Sequence, residues 1–209
     1  MSKVGKKFPD ISVNAMNEMG DTFKINVLQE ALENKKKIIL FWYPKDFTFV
    51  CPTEIHAFQS KLSEFEKRNT MVIGASCDTP EVHFAWLSTP KDNGGIEGVT
   101  FPLIADSTRH LSETLDILDT EYVGTEENYS IEGDNVSYRA TFLIDEEGTI
   151  FHESVNVMPL GRNVDEYLRL IDGYAHNQKH GEVCPANWEE GQEAMSESRE
   201  SVANYLSKQ

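Results

Sequence analysis

Two short apolar runs constrain this chain most: Ile38-Ile39-Leu40-Phe41-Trp42 and Met71-Val72-Ile73-Gly74-Ala75. Neither alternates with polar residues, and both are too short for an ordinary helix, so each reads as a strand buried on both faces. With their flanks they predict strands over Lys37–Trp42 and Thr70–Ser76. Between them Ile55, Phe58, Leu62 and Phe65 recur at helical spacing, which predicts a helix from about Val50 to Arg68. A strand, a helix and a second strand of this length imply a parallel pair with a right-handed crossover. The strand-to-helix junction is Pro44-Lys45-Asp46-Phe47-Thr48-Phe49-Val50-Cys51-Pro52-Thr53-Glu54. It places Cys51 at a helix start, at the sheet edge where ligands of open α/β folds bind. Free N–H groups and the positive end of the helix dipole favour a thiolate there. Cys51 is therefore the candidate nucleophile.

The remaining segments extend the same architecture. Ile11–Val13 and Thr22–Ile25 flank the turn signal Asn17–Asp21 and predict an N-terminal hairpin. Val27–Asn34 predicts a short helix. Asp78-Thr79-Pro80-Glu81 reads as a helix start, with proline at the first helical position. Phe101–Ala105 predicts a strand, Leu111–Ile117 a helix, and Ser137–Asp145 with Thr149–Val155 a hairpin around Glu146-Glu147-Gly148. Asn163–His176 predicts an amphipathic helix with Val164, Tyr167, Leu168 and Ile171 on one face. This order describes an α/β, thioredoxin-like fold: a central mixed sheet flanked by helices, with an N-terminal hairpin and a C-terminal extension. The domains expected are a core over 1–180 and a tail over 181–209. The tail is too poor in apolar residues to fold alone, so it should dock or stay mobile.

Charge and cysteine usage narrow the chemistry. The formal net charge of -16 argues against nucleic acid or an anionic membrane as partner. No Lys or Arg occurs between Arg109 and Arg139, where Glu113, Asp116, Asp119, Glu121, Glu126, Glu127, Glu132 and Asp134 all fall. The reading of that run is a solvated surface that aids solubility. The first residues carry no apolar signal core, so a cytoplasmic location is expected. Cys51, Cys77 and Cys184 lie too far apart for a Cys-x-x-Cys pair or a zinc site, and a reducing compartment disfavours a structural disulfide framework. No metal or cofactor is expected. Cys77 closes a buried strand and reads as a small hydrophobe. His83 reads as structural, and Tyr43 as packing near the site.

Pro44–Glu54 resembles the active-site motif of the typical two-cysteine peroxiredoxins, which include the alkyl hydroperoxide reductase C and thioredoxin peroxidase types. Gly181-Glu182-Val183-Cys184-Pro185-Ala186-Asn187-Trp188 resembles that family's resolving-cysteine segment. Asp78–Trp86, Tyr138-Arg139-Ala140-Thr141-Phe142 and Leu160-Gly161-Arg162-Asn163-Val164-Asp165-Glu166 match in order and spacing, so the similarity spans nearly the whole chain. It implies a thiol peroxidase in which Cys51 attacks peroxide and becomes a sulfenic acid, the first rung of cysteine oxidation. Thr48, Pro44 and Arg139 would then surround the sulfur, with Glu54 and Arg162 holding Arg139. Cys184 would resolve the sulfenic acid as an intersubunit disulfide. Read without the resemblance, Arg139 is an ordinary strand arginine, Arg162 a surface ion pair, Thr48 a loop cap and Pro44 a strand terminator.

The resemblance also implies a homodimer, a decamer of five dimers, and re-reduction by thioredoxin or a flavoprotein disulfide reductase. A thioredoxin-like disulfide reductase would need a second cysteine beside Cys51, which Pro52-Thr53-Glu54 does not provide. A holdase chaperone or redox-signalling role of the oligomer is the alternative, but it leaves Thr48, Cys51 and Arg139 occurring together without a reason. Members prone to overoxidation carry Gly-Gly-Leu-Gly and a C-terminal Tyr-Phe. This chain has Gly94-Gly95-Ile96-Glu97-Gly98 and Tyr205-Leu206, so intermediate sensitivity is expected.

Overall fold

The protein is described by a computed structural model covering residues 2–125 and 128–208. Its two compact units are Met1–Arg162 and Asn163–Gln209. The boundary expected at residue 180 thus falls instead at the start of the last long helix. The reason is local: Cys184 Sγ lies 3.6 Å from Gly173 O, and the His176 and Trp188 rings lie 4.9 Å apart, so that helix folds with the tail.

In the first unit, β1 (Ser12–Met16) and β2 (Thr22–Asn26) form the expected hairpin, and α1 (Val27–Asn34) follows it directly. Then come β3 (Lys37–Trp42), α2 (Cys51–Ser60), α3 (Leu62–Lys67) and β4 (Thr70–Ser76). The single helix expected over Val50–Arg68 is broken at Lys61, whose backbone leaves helical geometry at φ -105°, ψ 6°. The break keeps Phe58 and Phe65 over the same sheet face, with ring centroids 6.2 Å apart. Next are α4 (Pro80–Leu87), β5 (Leu103–Ala105), α5 (His110–Leu115), β6 (Glu121–Thr125), β7 (Asn128–Glu132), β8 (Arg139–Ile144) and β9 (Ile150–Asn156).

Seven strands make one mixed sheet in the order β2-β1-β5-β4-β3-β8-β9. β3 and β4 pair in parallel, as do β4 and β5, whereas β8 runs antiparallel to β3. All residues of β3 and β8 are buried, as the apolar run Ile38–Trp42 requires of β3; β8 buries Arg139 and Thr141 along with its apolar residues. Alternation then divides β3 between two cores. Ile38, Leu40 and Trp42 join Phe8, Val13, Ala31 and Leu111 on one face. On the other face Phe41 stacks on Phe58 of α2 at 3.9 Å between centroids and meets Phe101 edge-on at 5.6 Å. This aromatic stack fixes α2 against the end of β3, and so fixes where Cys51 sits.

In the second unit α6 (Val164–His180) is longer than expected and ends at Gly181, which takes the left-handed conformation common just past a helix. Val164, Tyr167, Leu168 and Ile171 are buried. The tail is not shapeless: Val183 bridges Met195, Trp188 is buried, and α7 (Arg199–Leu206) is capped by the Ser198 hydroxyl. The tail thus docks through Trp188 on His176 of α6, one of the two outcomes its composition allowed.

Candidate active site

Cys51 is the first residue of α2 and is fully buried. The loop before it is held in an unusual shape. Phe47 sits at φ 55°, a left-handed conformation that costs a bulky residue about 1–3 kcal/mol and must be held by its surroundings. Its ring packs on Trp86 at 5.8 Å. On the other side, the Asp46 main-chain N–H donates to Asp78 Oδ2 at 2.8 Å, and Asp46 Oδ2 lies 2.7 Å from His83 Nδ1. The result aims Thr48 at the sulfur, with Oγ1 3.0 Å from Cys51 Sγ and 2.8 Å from Lys45 O. A hydroxyl has one proton. Thr48 can therefore donate to the sulfur or to the carbonyl, but not to both.

Arg139, the first residue of β8, is buried beside the same sulfur, with Nη1 3.3 Å from Cys51 Sγ. Its Nε donates to Met158 O at 2.6 Å and Nη1 also donates to Glu54 Oε2 at 2.6 Å. Glu54 is the hub. It further accepts from the Arg162 main-chain N–H at 3.0 Å, from Arg162 Nε at 2.8 Å and from Arg162 Nη2 at 2.9 Å. Arg162 Nη1 reaches Ala140 O and Thr141 Oγ1, and its guanidinium lies over the Phe41 ring at 5.2 Å. The Glu54–Arg162 pair is buried on both sides, not the surface ion pair its loop position suggested. A buried pair is tolerable only when every polar edge is satisfied, which is the case here.

Magnitudes decide what governs the sulfur. At 3.3 Å and an effective dielectric near 20, a guanidinium attracts a thiolate by about 5 kcal/mol. A helix start contributes up to ~2 kcal/mol. Glu54 alone would cancel the guanidinium, but Arg162 neutralises Glu54, leaving the cluster with one positive charge at the sulfur. The Arg139 guanidinium is thus the nearest positive charge facing the sulfur.

Cys51, Thr48, Arg139, Glu54 and Arg162 are brought together by these contacts. Pro44 is buried at the start of the same loop. Cys184 belongs to the second unit, where it is half-buried and free, its thiol donating to Gly173 O at 3.6 Å. Burial pushes the Cys184 thiol up, the Arg169 guanidinium draws it down, and Glu182 raises it again. Cys77 is buried beside Ser112 Oγ at 3.6 Å, and burial raises its pKa as well. Residue types alone did not reveal Asp46 and His83 as a pair. His83 is wholly buried, with Nδ1 at Asp46 and Nε2 3.1 Å from Ile104 O. Asp46 sits inside the cysteine motif, which was the available signal.

No helix among the described residues is long and apolar enough to cross a membrane, and no group of three or more potential ligand residues among them could hold a metal ion. Residues 4–153 match the AhpC/TSA family, and residues 174–208 match the C-terminal domain of 1-Cys peroxiredoxin. The alkyl hydroperoxide reductase C of Helicobacter pylori is 41% identical over 206 residues, covering 99% of this chain and 96% of that protein. Peroxiredoxin-1 of Gekko japonicus is 39% identical over 98% of this chain and 96% of its own length. The reduced 2-Cys peroxiredoxin of Plasmodium vivax superposes with a TM-score of 0.88 at 39% identity, covering 99% of this chain and all of that one. The sheet and its flanking helices are the thioredoxin-like fold of these neighbours. The chain belongs to the AhpC/TSA family, among the peroxiredoxins.

Proposed function

We propose that Cys51 is the peroxidatic nucleophile of this thiol-dependent peroxidase, acting on hydrogen peroxide and organic hydroperoxides. One observation carries the reading: a buried sulfur at a helix start meets a hydroxyl at 3.0 Å and a clamped guanidinium at 3.3 Å. The thiolate attacks one peroxide oxygen, the O–O bond breaks, and the sulfur becomes a sulfenic acid. The leaving oxygen departs as water or alcohol after taking a proton. Arg139 and the Thr48 hydroxyl face the space where charge moves from sulfur to oxygen, and donors already fixed there need no reorganisation. Pro44 keeps water from the sulfur.

Cys184, on the 181–209 tail, then condenses with the sulfenic acid, releasing water and forming a disulfide. Cys51 is fully buried, so this step requires the first turn of α2 to open. No side chain caps that turn at Val50, so its start is held by backbone hydrogen bonds alone. The partner chain in a homodimer supplies Cys184, and a decamer of five dimers is the expected assembly. A thioredoxin or a flavoprotein disulfide reductase restores the thiols, in the cytoplasm. Loss of peroxide consumption in Cys51→Ser, with the fold retained, tests the assignment. Equal rates in the variant and the parent would overturn it.

A further inference from the structure

β6 and β7 leave the main sheet as a separate two-stranded hairpin. Their register pairs Tyr122 with Ile131 and Gly124 with Tyr129, so Tyr122, Tyr129 and Ile131 share one face. The two tyrosine rings meet edge-to-face at 5.6 Å. Tyr122, Tyr129 and Ile131 are nevertheless 57%, 58% and 48% exposed, and every described residue of both strands is exposed. A lone two-stranded hairpin is marginally stable in water, so an uncovered aromatic face on one is poorly explained as a solvated surface.

The root of the hairpin is firmly held. Leu118 bridges Ser137, Asp119 N–H donates to Val136 O, and Tyr138 Oη donates to Asp119 Oδ1 at 2.8 Å. Arg109 Nε donates to Asn135 O at 2.8 Å, and Ser137 Oγ donates to Tyr43 O at 3.1 Å. Tyr43 immediately precedes Pro44, and Ser137 lies two residues before Arg139. The hairpin therefore stands at the edge of the sheet that carries the active site.

Charge selects what can cover that face. Exposed Glu113, Asp116, Glu121, Glu132 and Asp134 surround it in sequence, and no Lys or Arg occurs from 110 to 138. A second copy of the chain brings the same field and is repelled, as nucleic acid would be. An aromatic centre with a charged rim is the anatomy of a protein interface. We propose that the β6–β7 hairpin docks the dithiol protein that regenerates this enzyme, and that this protein presents basic side chains around an apolar centre. The proposal rests on the reading that Cys51 and Cys184 form a disulfide. The partner subunit that supplies Cys184 carries the same negative charge, so of the proteins the cycle needs the reductant is the one this acidic face can attract. One of its thiolates attacks the disulfide, forming a mixed disulfide and releasing one cysteine of this enzyme. Its second thiol displaces the other, so the partner is oxidised by two electrons and both cysteines regain their protons.

The test compares the parent with Tyr122→Ser/Tyr129→Ser and with Glu121→Lys/Glu132→Lys, all confirmed folded by circular dichroism. Three reductants are supplied: dithiothreitol, thioredoxin with its NADPH-dependent reductase, and an NADH-dependent flavoprotein disulfide reductase. Turnover with dithiothreitol stays within about twofold of the parent, because a small thiol needs no docking surface. With the more efficient protein reductant, kcat/KM falls at least about tenfold in both variants. For the parent it falls similarly between about 20 mM and about 300 mM ionic strength. Unchanged kcat/KM in either variant, a rate that rises with salt, or failure of both protein reductants overturns the docking proposal. Failure of the parent with dithiothreitol instead overturns the disulfide cycle beneath it.

Discussion

Glu54 accepts four hydrogen bonds from two arginines, so a carboxylate that need not meet substrate decides where Arg139 points. Thr48 acts differently, because its hydroxyl can choose between Lys45 O and Cys51 Sγ. That choice matters most when charge moves along the sulfur–oxygen axis. Thr48→Val should lower the rate constant for the reaction of Cys51 with peroxide by about 10²-fold, the scale for removing one fixed donor. Thr48→Ser should recover most of it. Stopped-flow tryptophan fluorescence reads both, and an active Val variant would show that the hydroxyl only shapes the loop. Cys184 faces its own balance, with burial raising its pKa and Arg169 lowering it. Removing Arg169 raises it further and leaves less thiolate at neutral pH. Arg169→Gln should therefore slow disulfide formation roughly two- to fivefold, the range for a partly exposed ion pair, and leave the peroxide step unchanged. A rapid-quench time course of disulfide separates the two steps.

At the scale of elements, the site depends on how far α2 can open. Its first turn is held by Thr53 and Glu54 N–H groups on Val50 O. One turn further on, His56 Nε2 lies 3.0 Å from Gly95 O, tying the helix to the Gly94–Gly98 loop. That loop is itself pinned, since Trp86 Nε1 donates to Gly94 O at 2.9 Å and Ile96 is fully buried. In the proposed cycle, such a tie would confine opening to the first turn and lengthen the life of the sulfenic acid, which is when a second peroxide can make sulfinic acid. His56→Ala should let α2 open more readily and lower the sulfinate formed on Cys51 per turnover by a few-fold, an effect of about 1 kcal/mol for one lost hydrogen bond. Mass spectrometry after graded peroxide turnover measures it, and unchanged sulfinate would show that the loop does not restrain the helix. These elements differ in how readable they were. β3, β4 and α2 were legible because unbroken apolar runs and helical spacing each have one physical meaning. β6 and β7 were not, because exposed strands with no buried face leave no apolar alternation, and their acidic residues read as solvated chain. The Glu54–Arg162 pair was legible only through resemblance, since nothing local distinguishes a buried loop arginine from a surface one. His83 escaped because its partner, Asp46, lies 37 residues earlier in sequence.

For the molecule as a whole, the His83–Asp46 pair ties together segments that are distant in the chain: the cysteine loop, α4 and, through Ile104 O, β5. Asp78 faces it from the β4–α4 turn, and Tyr43 from the end of β3 adds a phenol whose pKa burial raises well above its usual value, helped by Asp46. Burial pushes His83 down, but the hydrogen bond and charge of Asp46 outweigh it, and the net shift is upward. Asp46 is raised by burial, with His83 opposing in part. Both shifts have one sign: folding holds the proton of the pair to higher pH than the separated groups would. The geometry agrees, because both ring nitrogens of His83 face acceptors and only the imidazolium can donate to both. The stabilisation is therefore complete below the ordinary histidine pKa of about 6.5 and is lost as pH rises through the raised value in the folded state. One proton of linkage is worth about 1.4 kcal/mol per pH unit, which in a chain of this size corresponds to roughly 3–5 °C per unit across that window. At fixed protein concentration the melting temperature should fall with rising pH above neutrality. Asp46→Asn should start lower, because one face of His83 loses its charge partner, and its profile should be flatter. Calorimetric melting between pH 6 and 9 compares the two, and parallel slopes would assign the pH dependence to groups other than this pair.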